Sequence, residues 1–351
     1  MSARNRIYPV FIPHLGCPHA CVFCNQREIT GVAAEEALNQ LNSLMECPPQ
    51  GEAYELAFYG GSFTAIPEAQ QLRYLEAANR ARDAGAVSAI RLSTRPDAIN
   101  PEVLERLHRY GVGTIELGAQ SMRDDVLEAS GRGHTAEDVR RASRLIREAG
   151  FHLVLQMMTG LPGDEDEGAV RTARDLIALH PDAVRIYPTV IVRGTELETR
   201  WKSGTYREHT VEDAVRVCAK ILPLFDAAGI PVIRLGLNPT DELSGGAALA
   251  GAYHPALGEL VRSRILRNQA EALLRETDCK GKRVTIHVPS RQISQMIGQK
   301  KCNAEWLKER FKLRELTITA DDGKQKPEIE ILLQLINHAA EETPVSAHKK
   351  S

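Results

Sequence analysis

The sequence predicts an α/β fold, with a partial (β/α) barrel over residues 1–240 and a small α+β domain near the C-terminus. Two observations lead to this prediction. Short apolar runs alternate with longer stretches of helical periodicity, which is the pattern of βα units around a parallel sheet. Cysteines, paired glycines and polar residues directly follow these runs, where parallel barrels carry their reactive groups. The chain has 351 residues, enough for one large core and a smaller unit.

Seven apolar runs are predicted to form the strands of the sheet, at residues 10–14, 55–59, 89–93, 114–118, 153–157, 183–187 and 232–235. Helical periodicity between the runs predicts helices at residues 68–84, 101–110, 136–149, 169–179 and 211–228. Four of these helices are followed by a glycine suited to a helix C-terminus: Gly85, Gly111, Gly150 and Gly229. This repetition favours six or seven βα units.

The residues that follow the first five predicted strands are expected to meet at one face of the barrel. They are, in order, Cys17, Gly60-Gly61-Ser62, Thr94-Arg95-Pro96, Gln120-Ser121 and Gly160-Leu161-Pro162-Gly163. Because the C-terminal ends of parallel strands share one edge, the sequence predicts the active site there.

Three of the seven cysteines, Cys17, Cys21 and Cys24, lie within eight positions. An odd number of cysteines, three of them clustered, suits metal or redox chemistry in a reducing compartment better than a disulfide framework. Thiolates are the ligands of iron-sulfur clusters, and a short loop can bring all three to one face. A zinc knuckle with His14 or His19 is the alternative, but the strand and barrel context favours iron-sulfur. The other cysteines are expected to be small buried side chains: Cys47, Cys218, Cys279 and Cys302.

A cubane cluster held by three thiolates leaves one iron open to a further ligand. That iron can chelate the amino and carboxylate groups of S-adenosylmethionine. One electron from the reduced cluster then breaks the bond between sulfur and the 5'-carbon. The resulting 5'-deoxyadenosyl radical abstracts hydrogen from a substrate. Phe23, which precedes the third cysteine, is expected to pack against the cluster or the adenine.

The cysteine loop followed by a Gly-Gly strand end resembles the radical S-adenosylmethionine (SAM) superfamily, which implies a partial barrel of that type with a 4Fe-4S cluster and SAM. Over about residues 7–240 the chain is similar to the radical domain of the Elongator catalytic subunit. The matching segments are Phe58-Tyr59-Gly60-Gly61-Ser62-Phe63, Ser93-Thr94-Arg95-Pro96-Asp97, Ile115-Glu116-Leu117-Gly118-Ala119-Gln120-Ser121 and Arg132-Gly133-His134-Thr135. Nothing resembles that subunit's acetyltransferase domain, so carboxymethylation of a tRNA wobble uridine from acetyl-CoA is not implied.

The resemblance also implies which residues contact SAM. Gly60 and Gly61 would present backbone to the methionine amino group, and Ser62 stands where many relatives carry an acidic residue. The forked guanidinium of an arginine suits the methionine carboxylate. The other implied contacts are Thr94 with the ribose, Gln120 and Arg132 with the methionine end, and Gln156 with the adenosine.

The C-terminal part is predicted to comprise a loop and helix junction (241–282), a second domain (283–338) and a flexible tail (339–351). In the second domain, strands are expected at residues 284–288 and 316–319 and helices at 291–297, 304–311 and 328–340. Residues 280–351 hold 14 Lys+Arg against 9 Asp+Glu, although the whole chain has a net charge of -2. This basic part has either a solvated face or a surface that binds a polyanion.

The segment from Val288 to Lys301 resembles the KH module, whose Gly-x-x-Gly loop between two helices clamps about four nucleotides. Backbone amides and lysines in such a loop suit a phosphate chain. Lys301 replaces the second glycine of the loop, and its charge can compensate for the loss of close backbone approach. A KH-like unit kept for packing or protein contact is the alternative. The implied RNA contacts are Arg291, Gly298, Gln299, Lys300 and Lys301.

The sequence therefore predicts a cytosolic radical enzyme that modifies a structured RNA, tRNA or rRNA, with flavodoxin or ferredoxin as electron donor. Two alternatives remain open. Arg132-Gly133-His134-Thr135 and Gly160-Leu161-Pro162 are also similar to relatives of coproporphyrinogen dehydrogenase, which implies a small-molecule or tetrapyrrole substrate. The second alternative is a non-catalytic RNA-binding regulator that keeps its cluster as an iron or oxygen sensor. No apolar stretch is long enough for a membrane span, and the N-terminus lacks a secretory signal.

Overall fold

The computed structural model describes residues 6–12, 21–25, 34–46, 54–238, 243–324 and 327–332. The chain divides into two compact units, residues 1–261 and 262–351. Among the helices of the described ranges, none is long and apolar enough to cross a membrane.

The first unit is built on a seven-stranded parallel sheet in the order β1-β2-β3-β4-β5-β6-β8. Its strands are β1 (Arg6–Phe11), β2 (Tyr54–Tyr59), β3 (Ala89–Thr94), β4 (Val112–Gln120), β5 (His152–Thr159), β6 (Ala183–Pro188) and β8 (Val232–Leu235). Each strand pairs in parallel with its neighbours, which leaves β1 and β8 as edges. Two short strands, β7 (Val190–Val192) and β9 (Ala248–Gly251), form a separate antiparallel ribbon.

Nine helices of the described ranges accompany these strands or follow them. They are α1 (Ala34–Glu46), α2 (Glu68–Asp83), α3 (Pro101–Arg109), α4 (Asp124–Ala129), α5 (Ala136–Glu148), α6 (Asp166–Ile177), α7 (Glu196–Lys202), α8 (Val211–Ala227) and α9 (Leu257–Arg275). Capping boxes start two of them, Thr135 with Asp138 in α5 and Thr210 with Asp213 in α8. These reciprocal hydrogen bonds satisfy amides that the first helical turn leaves unpaired.

The two faces of the sheet differ in chemistry. Phe58 of β2 faces the helices, since its ring centroid lies 6.2 Å from that of Tyr74 on α2. Side chains alternate along a strand, so Glu55 and Tyr59 face the opposite, concave side. The helix-facing set is apolar and fully buried and includes Leu56, Phe58, Ile90, Leu92, Ile115 and Leu117. The hydrophobic core therefore lies between sheet and helices, and polar side chains occupy the concave side.

The predicted partial barrel is confirmed, and all seven predicted strands belong to its sheet. The first strand begins and ends earlier than predicted, at Arg6 and Phe11. Helix α6 begins three residues earlier, at Asp166. Elements that the sequence analysis did not predict include α1, α4, α7 and the β7-β9 ribbon. The signal for α1 was available, because Ala37, Leu41 and Leu44 recur at helical spacing and are buried.

The second unit contains a three-stranded sheet in the order β11-β10-β12. Its strands are β10 (Arg283–Val288), β11 (Glu315–Ala320) and β12 (Glu328–Leu332), and β11 runs parallel to β10. Two short helices, α10 (Ile293–Ile297) and α11 (Cys302–Arg310), lie between β10 and β11 in the chain. Its core is formed by Leu266, Ala270, Leu274, Cys279, Val284, Ile286, Val288, Met296, Leu307 and Leu313.

The helix predicted over residues 328–340 is wrong in its first part. Glu328–Leu332 is strand β12, which pairs antiparallel with β10. The sequence Glu-Ile-Glu-Ile alternates with a period of two, which is the pattern of a strand rather than of a helix. Residues 333–340 lie outside the described residues, as does the predicted tail.

Candidate active site

A cavity of about 420 Å³ opens at the C-terminal ends of the parallel strands. Strands β2 to β6 and the loops after them contribute to its wall, together with the cysteine loop after β1. All seven residues that the sequence analysis assigned to SAM lie along this wall: Gly60, Gly61, Ser62, Thr94, Gln120, Arg132 and Gln156. The structure therefore brings together residues that are almost 100 positions apart in the chain.

Backbone hydrogen bonds hold the cysteine loop to the end of α4 and to the first turn of α7. The Val22 amide donates to the Ser130 carbonyl at 3.1 Å, and the Leu197 amide donates to the Val22 carbonyl at 2.8 Å. Within the loop, the Cys24 amide donates to the Cys21 carbonyl at 3.0 Å. Cys21 is buried, Cys24 is half-buried, and both line the cavity. The two thiols therefore face the cavity from a fixed turn.

These residues fit an iron-sulfur cluster. Cys21 and Cys24 are two of the three predicted ligands, and Cys17 lies outside the described residues. Nη1 of Arg132 lies 3.5 Å from the Cys21 sulfur. Cysteine sulfur is the ligand that iron-sulfur clusters require. Phe23 also lines the cavity, beside the two thiols.

The glycine-rich loop after β2 is bonded to the end of β3. Ser62 Oγ lies 2.9 Å from Thr94 Oγ1 and accepts from the Arg95 amide at 3.1 Å. Thr94 Oγ1 also lies 2.5 Å from Thr64 Oγ1. Both hydroxyls are therefore used within the protein, and the role of Thr94 toward a ribose stays a prediction. Gly60 has a φ of 104°, a conformation that glycine adopts readily and other residues rarely do.

A β-bulge at the end of β4 positions Gln120 and leaves room for Arg132. The pairing of β4 with β5 shifts register between Gly118 and Gln120, and Gln120 has a φ of 64°. Nη2 of Arg132 donates to the Gly118 carbonyl at 2.8 Å. A β-carbon on Gly118 would lie 2.7 Å from this nitrogen and 3.1 Å from Gln120 Nε2. The close approach of these side chains therefore requires glycine at position 118.

Three buried polar atoms of the lining have no hydrogen-bond partner among the described residues: Gln120 Oε1 and Arg132 Nε, which lie at the bulge, and Arg185 Nε. Buried polar atoms are normally paired, so unpaired ones at a cavity indicate room for a ligand. An amide oxygen can accept from an ammonium group, and a guanidinium can donate to a carboxylate. The methionine end of SAM carries both groups, so the residues fit it.

Arg95 and His134 support this wall from behind, and neither was assigned a role from the sequence. Nη2 of Arg95 donates to the Arg132 carbonyl at 2.8 Å, and its Nε donates to Asp97 at 2.5 Å. Nε2 of His134 lies 3.2 Å from the Ala119 carbonyl, next to the bulge. Burial, and then the charge of Arg132, lower the pKa of His134 to about 4. The imidazole is therefore neutral near pH 7 and donates through Nε2.

The floor of the cavity is a buried charged cluster that the sequence analysis did not identify. Glu116 is 0% exposed. One of its oxygens accepts from Arg91 at 2.9 Å, from Arg185 at 2.8 Å and from the Tyr59 hydroxyl at 2.9 Å. The other accepts from Gln156 at 3.0 Å. Burial, and then the charge of Glu116, raise the pKa of Tyr59, so its hydroxyl stays protonated.

The cluster is balanced in charge. Arg91 also pairs with Glu55, so two carboxylates face two guanidiniums, those of Arg91 and Arg185. Pairing of this kind is what makes buried charges tolerable. The signal that could have found the cluster is a single charged residue within each of four largely apolar strands: Glu55, Arg91, Glu116 and Arg185.

The residues predicted to bind RNA lie in the second unit, around the turn between α10 and α11. Gly298 is buried with a φ of 77°, and a β-carbon there would lie 2.8 Å from Cys302 Sγ. Lys300 and Lys301 have φ values of 51° and 64°, and Lys301 is the N-cap of α11. The other four predicted residues are exposed: Arg291, Gln299, Lys300 and Lys301. Their contact with RNA stays a prediction.

Comparison with known families agrees with this geometry. A family model described as the radical SAM superfamily matches residues 11–176, and a model of the radical SAM C-terminal domain matches residues 181–267. The chain belongs to the radical SAM superfamily and is a radical SAM enzyme. Its cofactors are those of the family, a 4Fe-4S cluster and SAM. Neither match extends beyond residue 267, so the KH resemblance stays a prediction.

Within the superfamily the chain is similar to Elongator proteins. It is 31% identical to human Elongator complex protein 3 over 206 residues, which are 53% of this chain and 38% of that protein. It is 32% identical over 132 residues to the tRNA uridine(34) acetyltransferase of Methanocaldococcus jannaschii, covering 37% of this chain and 24% of that protein. The chain therefore spans less than two fifths of the length of these relatives.

A solved structure supports the fold. The archaeal Methanocaldococcus infernus Elp3 with an N-terminal deletion matches with a TM-score of 0.58 and 22% sequence identity. The match covers 76% of this chain and 64% of that chain. At this level of identity the likeness concerns the fold alone.

Proposed function

We propose that this radical SAM enzyme modifies a structured RNA, with tRNA as the first candidate and rRNA as the second. The observation that carries the proposal is one cavity lined by Cys21, Cys24, Gln120 and Arg132. Two relatives bear names that refer to a tRNA uridine or to the Elongator complex, and this supports tRNA as the substrate. Flavodoxin or ferredoxin is the proposed electron donor.

When bound, the cluster supplies the electron that cleaves SAM to a 5'-deoxyadenosyl radical. Cys21 and Cys24 would hold the cluster together with Cys17, and Arg132 contacts the Cys21 sulfur at 3.5 Å. Arg132 Nε and Gln120 Oε1 would bind the methionine carboxylate and amino group, because both atoms are otherwise unpaired. The side chains thus orient SAM beside the cluster.

The second unit would supply affinity for the RNA backbone. Lys300 and Lys301 are exposed and have no carboxylate partner among the described residues. Both adopt left-handed backbone, which is uncommon outside glycine and recurs at functional sites. Lysines that contact phosphates raise affinity without reading sequence, which suits a module that positions a folded RNA.

The charge balance of the cavity argues against a tetrapyrrole. A substrate with several carboxylates needs several unpaired cations. Among the described lining residues, Arg185 is paired with Glu116 and Arg95 with Asp97. Arg132 is the remaining arginine of the lining, and it is proposed to bind SAM. The observed wall therefore favours a substrate without carboxylates at the reacting end.

The proposal is tested by forming 5'-deoxyadenosine anaerobically from SAM and dithionite with the reconstituted enzyme. Total tRNA, rRNA and no RNA are compared. Formation that rises with tRNA supports the proposal, and formation that rises only with rRNA selects the second candidate. Formation that neither RNA changes would overturn it in favour of a small-molecule substrate.

Binding by the second unit is tested on the full chain with a Lys300→Glu, Lys301→Glu double variant. The matched control is Lys308→Glu with Arg310→Glu, the same charge change at the other end of α11. If the turn contacts phosphates, the first variant binds tRNA more weakly. The number of counterions released on binding, measured from the salt dependence of the affinity, falls by about two. Equal weakening in both variants would instead indicate a diffuse charge effect.

A further inference from the structure

The cavity lining includes residues that none of the proposed SAM contacts use. They are Phe11 on β1, Tyr187 on β6, and Leu237 and Asn238 after β8. Tyr59, Glu116 and Arg185 of the buried charged cluster line the same cavity. A substrate that reacts with SAM in this cavity has these residues available to it.

The Tyr187 hydroxyl is a donor held in a fixed position. It accepts from Arg185 Nη1 at 3.2 Å. Arg185 is itself fixed, since its Nη2 donates to Glu116 and to the Tyr59 hydroxyl, each at 2.8 Å. In the part of the chain that the structure describes, the Tyr187 hydroxyl donates to no protein group, and its side chain is half-buried. Its proton is therefore available to a ligand in the cavity.

The surroundings determine the charge of a ligand that fits. The carboxylates of Glu55 and Glu116 already balance the guanidiniums of Arg91 and Arg185. Nε of Arg185 has no hydrogen-bond partner among the described residues, but the charge of this guanidinium is already balanced, so a ligand anion would find no excess positive charge to offset its desolvation. A ligand cation would likewise find no unpaired carboxylate, because Glu55 and Glu116 are both paired with arginines. Phe11, which is 45% exposed, and Leu237 offer apolar surface beside the hydroxyl.

The geometry points to a substrate subsite in which Tyr187 donates a hydrogen bond to a carbonyl oxygen of an uncharged group. Tyr187 is a positioning residue that acts on the substrate, and Arg185 with Glu116 sets its orientation. This inference rests on the proposed function for the identity of the whole substrate. The chemical class of the group bound beside Tyr187 follows from the cavity, which selects an uncharged group with a carbonyl oxygen.

The direct test measures binding of a small probe to the reconstituted, SAM-loaded and unreduced enzyme. Uridine is the uncharged probe, and orotidine is the same ring with an added carboxylate. Equilibrium dialysis compares wild type, Tyr187→Phe and the control Tyr110→Phe. Tyr110 follows α3, away from the cavity lining, so its variant removes the same atom elsewhere.

Loss of one hydrogen bond is expected to weaken uridine binding about five- to tenfold in Tyr187→Phe. Tyr110→Phe should bind as wild type does, and orotidine should bind less tightly than uridine. Unchanged uridine binding in Tyr187→Phe, orotidine binding as tight as uridine, or no uridine binding at about 10 mM would each overturn the subsite.

A second readout separates this subsite from the RNA proposal. Tyr187→Phe should lower the stimulation of 5'-deoxyadenosine formation by tRNA, and Tyr110→Phe should leave both this stimulation and the formation without RNA as in wild type. If tRNA does not stimulate the wild type but uridine binding still depends on Tyr187, the RNA proposal fails and the subsite stands. If tRNA stimulates wild type and Tyr187→Phe equally, the subsite is contradicted and the RNA proposal stands.

Discussion

Nη1 of Arg132 lies 3.5 Å from the sulfur of Cys21, although the two residues are 111 positions apart in the chain. The same guanidinium donates to the Gly118 carbonyl at 2.8 Å. Arg132 therefore joins the cysteine loop to the bulge that ends β4. A change in the position of this side chain is expected to affect the cluster and the methionine end of SAM together.

Arg132→Lys should weaken SAM binding about tenfold or more, because an ammonium cannot reproduce the forked geometry of a guanidinium. The cluster should still assemble. Electron paramagnetic resonance of the reduced enzyme, titrated with SAM, measures the affinity. Arg109→Lys is the control, since Arg109 forms an exposed pair with Glu105 on α3. An unchanged SAM affinity in Arg132→Lys would show that this side chain does not contact the ligand.

Gly118→Ala tests the close packing at the bulge. The added methyl group would lie 2.7 Å from Arg132 Nη2, so the guanidinium must move. We expect 5'-deoxyadenosine formation to fall at least about tenfold, because small displacements of positioning groups have large effects on rate. The control is Gly113→Ala on the same strand, where a β-carbon meets nothing within 4 Å. Equal activity in both variants would contradict the assigned role.

Glu116→Ala should destabilise the protein by about 3–5 kcal/mol, because it leaves Arg91 and Arg185 buried without their shared carboxylate. Urea unfolding of the apoprotein measures the free energy. Glu105→Ala is the comparison, since its pair with Arg109 is exposed and worth less than about 1 kcal/mol. Similar losses in the two variants would show that Glu116 is not the centre of the cluster.

His134 predicts a specific pH dependence of stability. Its pKa is about 4 in the folded protein, below the ordinary 6.5. The unfolded chain therefore binds the proton first as the pH falls, and the stability present above pH 6.5 is lost between 6.5 and 4. Relative to a His134→Gln variant, wild type should lose about 2 kcal/mol between pH 6.5 and 5. Parallel curves for the two proteins in urea unfolding would contradict a buried neutral histidine.

Sequence periodicity was sufficient to predict the seven strands of the large sheet and the long helices between them. The strands of the sheet are apolar on their helix-facing side, and their ends carry the recognisable residues, such as Gly60 and Gln120. Helix α1 was missed although its buried residues recur at helical spacing. The helix predicted over residues 328–340 is wrong in its first part because Glu328 to Ile331 alternate with the period of a strand and pair with β10.

The cavity floor was not predictable in the same way. Glu55, Arg91, Glu116 and Arg185 come from four strands, and their contacts depend on the register and curvature of the sheet. Gln156 was assigned to adenosine by resemblance, yet its amide donates to Ser93 and Glu116 at 3.0 Å. Hydrogen bonds of this kind between strands are properties of the folded chain.

The most direct test of the central claim is 5'-deoxyadenosine formation by reconstituted Cys21→Ala and Cys218→Ala variants, with SAM and dithionite. Cys218 is fully buried, and burial raises the pKa of its thiol to about 12, so it is a matched non-ligand cysteine. Cys21→Ala should lose both the cluster and product formation, and Cys218→Ala should retain both. Retention of cluster and product by Cys21→Ala would contradict the assignment of this loop as the site of the cluster.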